Sequence, residues 1–183
     1  SGVIDWQQPI DHPKPGEDAL GSRMLPTLWG NARLLCGLVE VMRAFPKDEA
    51  AAAATRRLGD FYVSMLPRFN DTECIAEYTA GGTYAAGHVT CWFPAMEGLV
   101  KLSTLTGEKK YLNAAAEMAA FFDRFDRIPV DHAHGMLCNH VSLLLLHEAT
   151  GEAAYLERVD KRWEELVRGG YINPAGGILE KCH

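Results

Sequence analysis

The residues of this chain best equipped for chemistry lie at its two imidazole-bearing loops and in its last few positions. Leu179 to His183 reads L-E-K-C-H and offers a carboxylate, a thiol and an imidazole within four positions. In an extended segment Glu180 and Cys182 project to the same side. Carboxylate oxygen and thiolate sulfur are both ligand types that zinc accepts, so this pair reads as half of a zinc site. His132 and His134 flank a single Ala, and in extended backbone both would point the same way. His88 follows a glycine, and Tyr84 lies four residues before it. Trp29 and Asn31 open the first strongly apolar run. Indole, phenol, imidazole and amide groups converging on one rim make a binding site for a polar ligand with apolar faces, and a sugar is the ligand such a set usually serves. Each has an alternative use: Trp29 as packing, Asn31 as a helix cap, and one of His132 or His134 as a partner for buried carbonyls. Glu97 reads as an ion-pair or cap partner within a helix. His140 and His147, inside an apolar run, read as core or surface residues.

Helices position these groups. Residues 30–45 read GNARLLCGLVEVMRAF, with Leu34, Leu35, Leu38, Val39 and Met42 at three- and four-residue spacings, the mark of one apolar face. The alanine-rich run 48–66 follows, with Pro67 expected to end it. Residues 93–106 and 108–122 repeat the pairing, as do residues 136–150 and 152–168. The two later pairs break at nearly the same words, L-T-G-E-K-K-Y-L and A-T-G-E-A-A-Y-L, 44 residues apart. Each glycine suits the left-handed position after a helix, and each glutamate suits the start of the next. The first helix of each pair is the more apolar, so the expected fold is all-α: stacked αα-hairpins, with the apolar helices inside and the charged ones outside. About three hairpins of an α/α-toroid are expected over one domain, residues 1–183, with 1–25 as a Pro- and Gly-rich lead-in. Inner helices all run the same way, which gathers the segments before them at one end. The Gly-rich closing stretch 169–183 is expected to return the chain to that rim.

Composition excludes several classes. A net charge of −6 without a basic cluster argues against a nucleic-acid surface. No run of about 18 apolar residues spans a membrane. The five cysteines are odd in number and form no C-x-x-C pair, against a disulfide framework or a zinc ribbon. Free thiols favour a reducing, cytoplasmic setting.

The G-H at Gly87-His88, the two T-G-E turns, the H-G at His134-Gly135, Trp163, and the closing Y-x-x-x-x-G-G-x-x-E-x-C of residues 171–182 occur in an order that resembles the family 127 glycoside hydrolases, the β-L-arabinofuranosidase type. The resemblance implies an (α/α)6 barrel acting on a carbohydrate. It implies that Glu180 and Cys182 are catalytic and bind zinc, and that Trp29, Asn31, Tyr84, His88 and His134 meet the substrate. It also implies a later cysteine pair and an acid/base glutamate, neither of which is found here, and so about half of the barrel and of its chemistry. Two other readings stay open: a non-catalytic helical-repeat module binding sugar or protein, and another toroid enzyme such as a lyase or epimerase using His88 with Tyr84 or Tyr78. Three hairpins leave open edges, so association is expected, either as a homodimer or with a complementary half-barrel.

Overall fold

The computed structural model describes residues 20–70, 93–124 and 132–180, with side-chain surroundings from Leu28 onward. These residues form six helices: α1 Leu20–Ala44, α2 Glu49–Asn70, α3 Ala95–Thr106, α4 Lys109–Phe122, α5 Ala133–Thr150 and α6 Ala153–Arg168. They pair in chain order as three hairpins, α1/α2, α3/α4 and α5/α6. Helix α3 packs between α1 and α5 to make the inner layer, and α4 packs on α2 and α3 in the outer one. The all-helical hairpin stack read from the periodicity is therefore present. Among the described residues the only β pairing is an isolated bridge between Ile172 and Ile178.

The repeated T-G-E words are repeated bonding. Gly107 and Gly151 take φ of 75° and 76°, the left-handed region that costs glycine nothing. Their N–H groups donate to the carbonyls of Ser103 and His147, both at 2.8 Å. Thr106 Oγ1 donates to the Leu102 carbonyl at 2.8 Å and accepts the Glu108 N–H at 3.2 Å; Thr150 does the same with Leu146 and Glu152 at the same distances. Thr and Gly thus satisfy groups that a helix end otherwise leaves to water. Neither glutamate caps its helix with its side chain. Glu108 instead pairs with Arg56 of α2 at 2.9 Å and with Lys110 at 3.3 Å.

The core runs between the layers. Tyr62, Tyr111, Phe93 and Phe122 are enclosed there with Leu35, Leu58, Leu99 and Leu102. Each large side chain so buried contributes about 1.5–3 kcal/mol. Close approach of the helices is set by two glycines. A Cβ at Gly98 would lie 2.7 Å from Leu35 Cγ, and one at Gly59 would lie 2.7 Å from Leu102 Cδ2. Tyr62 ties the first hairpin by donating its hydroxyl to the Leu28 carbonyl at 2.6 Å.

Three sequence expectations need correction. Helix α1 begins at Leu20, inside the supposed lead-in, and Pro67 lies within α2 instead of ending it. Helix α5 begins at Ala133, not Met136, so His134 sits in its first turn and His132 precedes it. The two imidazoles therefore do not share the side of an extended segment.

Candidate functional site

The inner layer brings one cluster together where the N-terminal end of α5 meets the middle of α1. Trp29 of α1 faces both imidazoles, with ring centroids 5.7 Å from His132 and 5.4 Å from His134, and the two imidazoles are 6.0 Å apart. All three contacts are edge-on, the arrangement ring quadrupoles favour. The closing segment completes the cluster. After α6, Asn173 Oδ1 accepts the N–H groups of Ala175 and Gly177 at 3.0 and 2.9 Å, and Gly176 takes φ of 84°. This tight turn sends the chain back, where Leu179 N–H donates to the Tyr171 carbonyl and the Glu180 carbonyl accepts the Ala133 N–H, both at 2.9 Å. The expected return to the rim is present, and it sets Glu180 at the start of α5.

His132 caps that helix. Its Nδ1 accepts the Gly135 N–H at 2.8 Å, which in the neutral ring leaves the proton on Nε2. Glu180 Oε1 lies 3.5 Å from the same Nδ1. With Nδ1 already an acceptor, that approach is not a hydrogen bond, and the carboxylate remains available to a ligand; its side chain is 58% exposed. His134 and Glu180 line a cavity of about 500 Å3 with Ala133, Leu137, Cys138, Val141, Gly176 and Ile178. Its walls are mostly apolar, with an imidazole, a thiol and a carboxylate as the polar points.

Below the rim a chain of charges joins α1 to α3. Arg33 stacks over the Trp29 ring at 5.6 Å, donates to the Pro94 carbonyl at 3.3 Å and approaches Glu97 at 3.5 Å. Glu97 accepts from Lys101 at 2.8 Å, and Lys101 reaches Glu40 at 3.5 Å. Glu97 is thus the ion-pair partner that its helical setting suggested. Cys36 lies beside this network. Burial and the Glu97 carboxylate push its thiol up to about 11, and burial raises Cys138 as well. Both thiols stay protonated near neutrality, so neither is an activated nucleophile.

The remaining expected site residues divide. Asn31 is fully enclosed rather than presented at the rim. Tyr84, His88 and Cys182 lie outside the described residues, as does Tyr78. Among the described residues no group of three or more His, Cys, Asp or Glu could hold a metal ion. Sequence reasoning missed the capping role of His132, because His is not among the usual cap residues. It also missed the Arg33–Trp29 stack, whose only signal is an i, i+4 pair on one helix face.

Two curated proteins align with this chain. A probable Xaa-Pro aminopeptidase of Chaetomium globosum is 29% identical over 140 residues, covering 76% of this chain and 21% of the relative. A probable Xaa-Pro aminopeptidase pepP of Talaromyces marneffei is 27% identical over 140 residues, covering 76% of this chain and 26% of the relative. The chain thus spans about a fifth to a quarter of the length of the curated relatives it matches. No family model matches it, and no solved structure does.

These findings overturn the glycoside hydrolase reading. The relatives are named as aminopeptidases, and neither name refers to a carbohydrate. The physical reason for the misreading is visible in the turns. T-G-E is a solution to closing one helix and opening the next, available to any helical hairpin. The asparagine- and glycine-rich segment before Glu180 is likewise turn chemistry. Such words report the fold and leave the reaction open. The lyase or epimerase alternative rested on Tyr78, Tyr84 and His88, outside the described residues. No described helix is long and apolar enough to cross a membrane.

Proposed function

We propose that this chain is a peptide-recognition part of an aminopeptidase-type protein, and that it takes the amino end of an Xaa-Pro peptide at the rim of α1 and α5. The observation that carries the reading is the exposed Glu180 carboxylate at the edge of an apolar cavity, next to the Trp29, His132 and His134 rings. A free α-amino group is a cation and needs such a carboxylate, held without a competing hydrogen bond from His132. The rigid, apolar proline ring that follows packs well against indole and imidazole edges. The two aligned aminopeptidases support the peptide class.

The groups that cut the bond are assigned to other parts of the protein. The described thiols are held protonated, and among the described residues no group of three His, Cys, Asp or Glu gathers for a metal. A metal serving this site would draw on donors supplied from elsewhere, and zinc is one of the ions that a carboxylate and imidazole set accepts.

The test is a titration of the chain with Ala-Pro-Ala, followed by the imidazole proton signals. The free-amine peptide is expected to shift the His132 and His134 resonances, with binding about tenfold weaker for Glu180→Gln. N-acetylated peptide is expected to bind no better than that variant. Equal binding of the acetylated and free-amine peptides would exclude the reading.

A further inference from the structure

Arg33 is an inner-layer cation whose bonds are incomplete. Its Nη1 lies 3.5 Å from Glu97 Oε2 and its Nη2 lies 3.3 Å from the Pro94 carbonyl, both longer than an ordinary N–H···O bond. Among the described residues its enclosed Nε meets no acceptor. Neighbouring bridges are tighter: Lys101 reaches Glu97 at 2.8 Å, Arg56 reaches Glu108 at 2.9 Å, and Lys110 reaches Asp60 at 2.7 Å. Glu97 does not depend on Arg33, because Lys101 and the Cys36 thiol both bond it. Releasing Arg33 therefore strands no carboxylate, which is the loss that makes a buried pair costly to break. As a strut between α1 and α3, Arg33 is poorly fixed. A guanidinium presents five N–H groups in a fork that matches a carboxylate, and this one is short of acceptors.

Its position is that of a ligand group. The guanidinium stands over the Trp29 ring, and the same ring contacts His132 and His134. Its charge acts on the Cys138 thiol, in the wall of the cavity that Glu180 edges. Its side chain is 36% exposed. The groups follow in the order Glu180, His132, Trp29, Arg33: an acid at one end, a cation at the other, and rings between. The successive steps are 3.5, 5.7 and 5.6 Å. An extended tripeptide covers about 10 Å. With a charge-assisted hydrogen bond of about 2.8 Å at each end, its two termini reach both groups. A short Xaa-Pro peptide carries the matching order of cation, apolar ring and anion.

We propose that Arg33 binds the carboxylate end of the peptide whose amino end meets Glu180, so that the site selects short peptides with both ends free. This rests on Glu180 taking the amino end. The incoming carboxylate replaces two long contacts of Arg33 with bidentate, charge-assisted bonds. Glu97 keeps Lys101 and Cys36 as partners. Trp29 stays against the guanidinium, so the ring that packs the proline also supports the cation. A peptide that ends in an amide offers Arg33 no charge. A peptide three residues longer carries its carboxylate past Arg33.

Calorimetric titration of the chain with Ala-Pro-Ala and with its C-terminal amide tests this. The free acid is expected to bind about tenfold more tightly than the amide, and extension of the acid by three alanines should cost a similar factor. Arg33→Gln should bring the free acid down to the amide's affinity, while Arg33→Lys, which keeps the charge without the fork, should retain part of the preference. Glu180→Gln should weaken acid and amide by the same factor, which separates the two ends. Equal binding of acid and amide by the native chain overturns the proposal; if N-acetylation still weakens both, the amino-end reading stands without it. A preference for the acid that survives Arg33→Gln also overturns it, because the carboxylate is then held elsewhere. So does loss of acid and amide binding together in a helical Arg33→Gln chain, since Arg33 then only positions Trp29. If Arg33→Gln does not fold, the acid, amide and length series on the native chain still decides. Failure of every peptide to bind removes both readings.

Discussion

Cys36 shows how a single side chain is governed by its setting. It has the thiol that covalent chemistry requires, but burial and the Glu97 carboxylate push its ionisation from 9.0 to about 11. At pH 8 its thiolate fraction is about a hundredfold below that of an ordinary cysteine. Alkylation by iodoacetamide, followed by peptide mass mapping, is expected to be slower by at least that factor than for an exposed thiol. The same shift has a stability consequence. The folded state holds this proton more tightly than the unfolded one, so its contribution is present below pH 9 and is lost as pH rises toward 11. Urea midpoints should fall over that window, and Cys36→Ala should remove part of the fall. Cys36 is a free thiol on α1. The Glu97 carboxylate that holds it neutral arrives from a helix some sixty residues away, which no local pattern announces. His132 is the converse case: its capping bond is local, yet it was unreadable because imidazole rarely plays that part.

At the scale of elements, turns and close contacts were unequally legible. The left-handed glycines after α3 and α5 follow from the repeated T-G-E words alone, since local backbone geometry decides them. Gly107→Ala is expected to cost about 1 kcal/mol, measured by urea denaturation. Gly98 has no such signature. Its requirement comes from Leu35 of another helix, 2.7 Å from where a Cβ would stand. Gly98→Ala should therefore cost about 1–3 kcal/mol through overpacking, although alanine is the better helix former. Leu35→Ala in the same chain should relieve the strain while adding the cost of its own lost burial, so the two effects should not add. Pro67 illustrates the limit of rules for helix ends: tertiary packing of Met65, Leu66 and Phe69 into the core carries α2 past it.

For the whole molecule, the three hairpins bury one continuous core among the described residues. By itself the sequence determined the all-helical class, the pairing into hairpins, the two repeated turns and the return of the last segment to the rim. Those features rest on period, capping and backbone conformation, which are local or nearly so. Tertiary structure decided which polar groups meet: Trp29 with two imidazoles, Glu180 with the start of α5, and Arg33 with Glu97. These contacts join segments up to about a hundred residues apart, and their geometry is set by how helices pack, not by the words the helices are written in.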